Sequence, residues 1–289
     1  MQDVRQWLLA IDDQLLSWLG PPHAVARSLP WMLHPAWAVV LSAAYLLIIV
    51  LAVPTTMRLL RIPPLRMKPM MRAYNLFMVA LSSYMGIHGV RLWYALYFQR
   101  QVGPLRPLYV WCVPLELPGA ADANLRQWQR EMTALVWLFT WSKAVEFADT
   151  LFMVLEGRMR QVSFLHVYHH VTMFLYWFVN TYFYPGGDLW FSLVQNAFVH
   201  TVMYGYYFAT SFGYNPRWKY WITYAQMLQF VFDALQSILV GYVYGERVCG
   251  IPDRVSRGLL WYMLSMLALF AHFLLTSRKS KTARKIKAA

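Results

Sequence analysis

The sequence predicts an all-α membrane protein that crosses the bilayer seven times. Three observations carry that expectation. The 289 residues are 59% hydrophobic and only 13% charged, against about 25% charged in a soluble chain. Trp, Tyr and Phe supply 17% of the residues, as aromatic belts at two membrane interfaces require. Apolar runs long enough to cross about 30 Å of hydrocarbon recur along the chain.

Residues 1–35 come first, an N-terminal segment whose short apolar runs are broken by Asp3, Arg5, Asp12, Asp13 and Arg27. That pattern is not a cleavable signal peptide, which needs an uninterrupted apolar core. Residues 36–277 form the membrane domain, with spans expected at 36–53, 73–98, 132–155, 164–180, 189–211, 220–244 and 258–276. The middle spans are less apolar than the outer ones because they hold most of the chain's buried polar candidates. Turn-forming residues mark the loops: Pro63 and Pro64, Pro107, Pro185 with Gly186 and Gly187, and Asn215 with Pro216. Residues 278–289 form a basic tail.

The net charge of +13 raises nucleic acid as a partner, but no nucleic-acid motif accompanies it. The basic residues instead orient the chain. Arg58, Arg61, Arg66, Lys68 and Arg72 fall on one side with Arg158, Arg160, Arg217 and Lys219. The tail adds Arg278, Lys279, Lys281, Arg284, Lys285 and Lys287 to that side. The positive-inside rule makes it cytosolic, which leaves the N-terminus lumenal. Lys285 and Lys287 ahead of Ala288 and Ala289 look like a dilysine retrieval signal of the endoplasmic reticulum. Cys112 and Cys249 are the two cysteines. Both fall in lumenal loops, where an oxidising compartment favours a disulfide between them.

Candidate chemistry sits inside the spans. His166, His169 and His170 lie at i, i+3 and i+4 of the fourth span, so all three project from one face. Imidazole can serve as nucleophile, proton shuttle or metal ligand, and ionisable groups inside hydrocarbon mark functional sites. The third span carries Lys143, Glu146, Asp149 and Thr150, with its three charges on one broad face. Lys143 and Glu146 also fit a mutually neutralising pair, whereas Asp149 is suited to fixing an imidazole tautomer. Asn196, His200 and Tyr204 form a stripe at i, i+4 and i+8 of the fifth span, beside Met203 and Tyr207. The sixth span adds Gln226 and Gln229, the latter read as helix-to-helix glue.

Four motifs in this order resemble the ELO family of very-long-chain fatty acid elongases. They are Lys143-x-x-Glu146-x-x-Asp149-Thr150; Gln161-x-x-Phe164-Leu165-His166-x-Tyr168-His169-His170; Asn196-x-x-x-His200-x-x-Met203-Tyr204-x-Tyr206-Tyr207; and Thr223-x-x-Gln226-x-x-Gln229. No motif position is missing, and the likeness runs from about the first span into the tail. The resemblance implies seven transmembrane helices, six of them enclosing an acyl-chain tunnel. It implies a 3-ketoacyl-CoA synthase of the endoplasmic reticulum, condensing acyl-CoA with malonyl-CoA and releasing CO2 and CoA. It further implies an acyl-histidine intermediate at the first histidine of the HH pair, His169.

Thioester condensation without a serine or cysteine nucleophile leaves imidazole to attack. His169 is therefore expected to carry the acyl group, although a small helix rotation would exchange it with its neighbours. His170, His200 and Asn196 are expected to stabilise the enolate formed as malonyl-CoA loses CO2, with Asp149 and His166 orienting the rings. Lys143, Glu146, Tyr204 and Gln226 are expected along the substrate path. Arg158, Arg160, Arg217, Lys219 and Arg278 are expected to hold CoA phosphates at the cytosolic mouth. No cofactor and no metal is expected. Partners would be CoA thioesters and membrane lipid, with a homo-oligomer and other elongation-cycle enzymes beside them. Two other readings compete. A membrane di-iron desaturase or hydroxylase also uses HxxHH, but needs about eight clustered histidines. Here the total is eight and His23, His34, His88 and His272 stand alone. A lipid transporter with a polar path is the non-enzymatic alternative. The box HVYHH looks more like family members acting on polyunsaturated chains than the tryptophan-containing box of others. Met78, Met85, Met153, Met173, Met203 and Met227 could line an adaptable tunnel for such chains.

Overall fold

Backbone N–H and C=O groups in hydrocarbon have no water to bond, so an apolar run must satisfy them internally, as a helix does. The computed structural model describes residues 2–32, 34–99, 110–112, 123–186, 189–214, 216 and 218–288, the side chains of residues 2–5, 8, 9, 99, 124, 125, 247 and 277–288 excepted. Every regular element among the described residues is helical. Three helices are long and apolar enough to cross a membrane: Ala36–Leu59, Lys219–Tyr244 and Asp253–Thr276. They match the first, sixth and last expected spans. The regions expected to form the other four are helical too, but more polar. Exposure accounts for the difference. Leu47, Ile48 and Leu51 on the first of these helices and Trp261 on the last are exposed, which suits an apolar run, whereas the polar helices bury their polar faces against one another.

In chain order, α1 (Gln2–Leu19) and α2 (Ala24–Arg27) precede the first long rod. That rod is α3 (Ala36–Ala44), a π-helical stretch (Tyr45–Ala52) and α4 (Val53–Leu59). Pro54 near the start of α4 has no N–H for the carbonyl one turn back, and the ladder ahead of it has widened to π spacing. Next come α5 (Lys68–Tyr94), α6 (Ala123–Val145) and α7 (Phe147–Leu155). The third span, expected as one helix over 132–155, is thus broken at Glu146. The N–H of Asp149 bonds the Glu146 carbonyl at 3.1 Å, an i to i+3 bond that tightens the turn and rotates α7 relative to α6. The α8 helix (Phe164–Phe183) starts at Ser163, whose hydroxyl oxygen accepts the N–H of His166 at 3.3 Å. After α9 (Leu189–Ser211), α10 (Lys219–Ile238) continues as a π-helical stretch to Tyr244 and ends at Gly245, φ +72°. A short α11 (Glu246–Cys249) leads into α12 (Asp253–Ala288).

Small residues bring α5 and α9 together. A Cβ on Gly89 would stand 2.6 Å from Val194 Cγ2, and one on Gly86 3.5 Å from Ala197 Cβ. Around that contact Met85, Leu92, Phe139, Trp177 and Leu193 form a core shared by α5, α6, α8 and α9. A second core joins Tyr45, Phe147, Phe174 and Phe178 to Met32 of the N-terminal segment, and a third joins Phe230 of α10 to Leu259, Met263 and Met266 of α12. Cys112 and Cys249 are bonded as a disulfide, both buried, with Cα atoms 5.7 Å apart. The N-terminal segment is tied in as well. The Asp12 carboxylate accepts the backbone N–H of Ala36 at 3.2 Å, in the first turn of α3, and pairs with His34 Nδ1 at 2.7 Å.

Candidate active site

The break at Glu146 divides the polar run of the third span between several partners. Before the break, Lys143 Nζ donates to Glu146 Oε1 at 2.7 Å and to Asn196 Oδ1 of α9 at 2.8 Å. His200 Nδ1, one turn further along α9, lies 3.2 Å from the same Glu146 oxygen, without hydrogen-bond alignment. All four side chains are buried. The charges of Lys143 and Glu146 therefore compensate each other where water cannot. After the break, Asp149 Oδ2 accepts the Tyr204 hydroxyl at 2.6 Å. Its partner is a tyrosine and not a histidine, contrary to the role expected for Asp149. The rotation of α7 turns it towards the far end of the Asn196–His200–Tyr204 stripe.

Thr150 takes the place expected of Asp149. Its hydroxyl lies 2.8 Å from His166 Nε2 and 2.9 Å from the hydroxyl of Tyr45. The His166 ring stands 4.3 Å from that of His170, whose other neighbours are the stacked rings of Tyr45 and Phe147. His169 projects elsewhere, because adjacent residues on a helix differ by about 100°. Its ring is 5.7 Å from that of His170, and its Nδ1 is buried with no hydrogen-bond partner among the described residues. His166 and His170 are thus packed against α7 and the π-helical stretch, while His169 has no partner on Nδ1.

Beneath this layer a cavity runs between α8, α9, α10 and α12. Its walls are largely apolar, with Met173, Tyr176, Trp177, Phe230, Leu259 and Met263, and it meets the polar layer at Asn196 and Gln229. The histidines are not among its walls. Ser192 and Asp233, which motif reading passed over, line its α9–α10 side: Ser192 Oγ donates to Asp233 Oδ1 at 2.9 Å, and Gln195 Nε2, which is not a wall residue, donates to the same oxygen at 3.2 Å. Their signal was in the sequence. Gln226, Gln229, Asp233 and Gln236 follow at i, i+3, i+7 and i+10, one polar stripe down an apolar helix. Gln226 itself, expected along the substrate path, contacts Met203 Sδ at 3.7 Å.

Of the basic candidates, the described ones are at the surface. Arg158 pairs with Glu156 at 2.5 Å and, like Arg160 and Lys219, is exposed. Arg217 and the side chain of Arg278 lie outside the described residues. Among the described residues, no three His, Cys, Asp or Glu side chains gather as a metal-holding group.

Known proteins similar to this chain are fatty acid elongases. Fatty acid elongase 6 of Leishmania major is 38% identical over 59% of this chain, which spans only 46% of that relative's length. Very long chain fatty acid elongase 5 of Tachysurus fulvidraco is 30% identical over 94% of this chain and 85% of its own. Very long chain fatty acid elongase 2 of Rattus norvegicus is 30% identical over 77% and 74%. The sequence profile of the GNS1/SUR4 family matches residues 30–286. All but the N-terminal segment and the last residues fall within that match, and the chain belongs to the ELO, or GNS1/SUR4, family.

Proposed function

We propose that this chain is the condensing enzyme of fatty acid elongation, joining an acyl-CoA to malonyl-CoA to give a 3-ketoacyl-CoA two carbons longer. The observation that carries this reading is the buried layer of His200, Asn196, Lys143 and Glu146, with the half-buried His169, near a largely apolar cavity. Both cysteines are held in the disulfide, so no thiol competes with imidazole as nucleophile. His169, with no partner on Nδ1, attacks the acyl thioester and CoA leaves. Malonyl-CoA then loses CO2, and the electron pair of the broken bond passes to an enolate stabilised by His200 and Asn196. The enolate carbon attacks the acyl-imidazole carbonyl, and the imidazole leaves and takes up a proton.

On this reading the chain spans the endoplasmic reticulum membrane seven times, with six helices around the acyl tunnel. The distribution of Lys and Arg supports a cytosolic C-terminus and a CoA mouth on that side, at Arg158, Arg160, Arg217, Lys219 and Arg278. Met173 and Met263 with the aromatic walls of the cavity suit a polarisable polyunsaturated chain.

Pure protein given acyl-CoA alone should release free CoA and gain an acyl mass on the peptide holding His169. Added malonyl-CoA should then yield the 3-ketoacyl-CoA, and His169→Ala should abolish both steps. Release of CoA only after malonyl-CoA is added would overturn the acyl-enzyme. Run over saturated and polyunsaturated acyl-CoAs, the same assay should favour the polyunsaturated ones; a clear preference for saturated chains would sink that part.

A further inference from the structure

Four buried side chains on three helices form one hydrogen-bonded row with a fixed direction. Lys143 Nζ donates to Asn196 Oδ1 at 2.8 Å, Asn196 Nδ2 to Gln229 Oε1 at 3.5 Å, and Gln229 Nε2 to Asp233 Oδ2 at 3.3 Å. An amide can turn over and exchange its donor and acceptor ends, but the two ends of this row cannot. An ammonium only donates, and an ionised carboxylate only accepts. Asn196 must therefore present its oxygen to Lys143, and Gln229 its nitrogen to Asp233. Ser192 and Gln195 hold Asp233 in turn, both donating to Oδ1 at 2.9 and 3.2 Å and leaving Oδ2 to Gln229.

The row runs along the wall of the cavity, where Asn196, Gln229 and Asp233 all line the space. Asn196 Nδ2 carries two N–H groups, and the row engages one of them at a distance that holds it only weakly. We propose that Lys143, Gln229 and Asp233 are positioning residues that clamp the Asn196 amide from both ends, so that its Nδ2 faces the cavity as the donor to the enolate oxygen of decarboxylating malonyl-CoA. This rests on the condensing-enzyme reading. Lys143 then acts through Asn196 without contacting substrate, and Glu146 anchors Lys143 on the oxygen that lies 3.2 Å from His200 Nδ1. Gln229 is a link in the clamp and more than glue between helices. Asp233 acquires a function towards a reacting group it never touches.

The two half-reactions separate this role from a structural one. Asp233→Asn keeps size but offers the row an amide, which can accept on one face only. At saturating acyl-CoA, CoA release from acyl-CoA alone should slow much less than formation of 3-ketoacyl-CoA, because the enolate donor plays no part in it. Formation of 3-ketoacyl-CoA should lose about 10- to 100-fold in kcat, less than the roughly 100- to 1,000-fold of deleting such a donor outright. Asn196→Asp, which keeps an acceptor for Lys143 but removes the donor, should show the full loss at the same step. Adding Asp233→Asn to Asn196→Asp should then cost nothing further, since both act on one N–H. If Asp233→Asn fails to fold, Gln229→Met breaks the middle link and should give the same selective loss. Equal slowing of both half-reactions, no slowing, or additive losses in the double variant would each overturn the clamp. Parent protein that makes no 3-ketoacyl-CoA would instead overturn the condensing-enzyme reading.

Discussion

Partners chosen by single residues decide which change disturbs which ring. Sequence spacing singled out Asp149 as the group to orient a histidine, and its partner is Tyr204 at 2.6 Å. The residue on His166 is Thr150, at 2.8 Å. Thr150→Val keeps the shape and removes the hydroxyl from both His166 and Tyr45, so the His166–His170 pair loses its fixed setting. CoA release from acyl-CoA alone should fall about 10- to 100-fold, the range seen when an outer-shell hydrogen bond on a functional imidazole is removed. Asp149→Asn should do less, because an amide oxygen still accepts the Tyr204 hydroxyl. A larger effect from Asp149→Asn than from Thr150→Val would contradict this order. The motif residues and the Lys143–Glu146 pair within one span were legible in the sequence; the pairings between helices were not. Lys143 and Asn196 lie 53 residues apart, and no local periodicity relates one helix's register to another's.

At the scale of elements, the helices follow apolar runs and their breaks follow polar needs. The interruption at Glu146 lets one sequence motif face two directions, with Lys143 and Glu146 towards Asn196 and His200, and Asp149 and Thr150 towards Tyr204 and His166. A period of 3.6 residues extrapolated through 146 cannot foresee that. The contact of α5 with α9 was equally hidden, since a glycine in an apolar run reads as neutral until its neighbour is known. Gly89→Ala puts a methyl 2.6 Å from Val194 Cγ2. Val is stiff at χ1, so the helices must part, with an overpacking penalty of about 1–3 kcal/mol. A lowered thermal midpoint in detergent should follow, and Val194→Ala should restore it by removing the obstructing methyl. A midpoint unchanged by Gly89→Ala would mean that the two helices are not in close contact.

For the whole molecule, the disulfide between Cys112 and Cys249 joins the segment after α5 to α11, spanning 137 residues of sequence. Closing so long a loop restrains the unfolded chain, and its removal should lower stability by about 2–5 kcal/mol if the chain-entropy account holds. Cys112→Ser with Cys249→Ser should therefore unfold at lower temperature while still releasing CoA from acyl-CoA, because Cys112 and Cys249 belong to a separate packed cluster with Val240. Loss of the acyl-transfer step with an unchanged thermal midpoint would reverse that assignment.

Composition and periodicity determined by themselves that the chain is helical, where the helices long and apolar enough to cross a membrane lie, and which polar residues share a helix face. These are local properties: hydropathy over about twenty residues and side-chain spacing within one helix suffice to read them. Tertiary structure alone decided that Thr150 and not Asp149 reaches His166, that Glu146 serves Lys143 and His200 together, and that Asp233 closes a row begun at Lys143. Each of these depends on the rotation of one helix against the next. Packing of side chains such as Gly89, Val194 and Phe147 sets that rotation, and it has no signature within any single stretch of sequence.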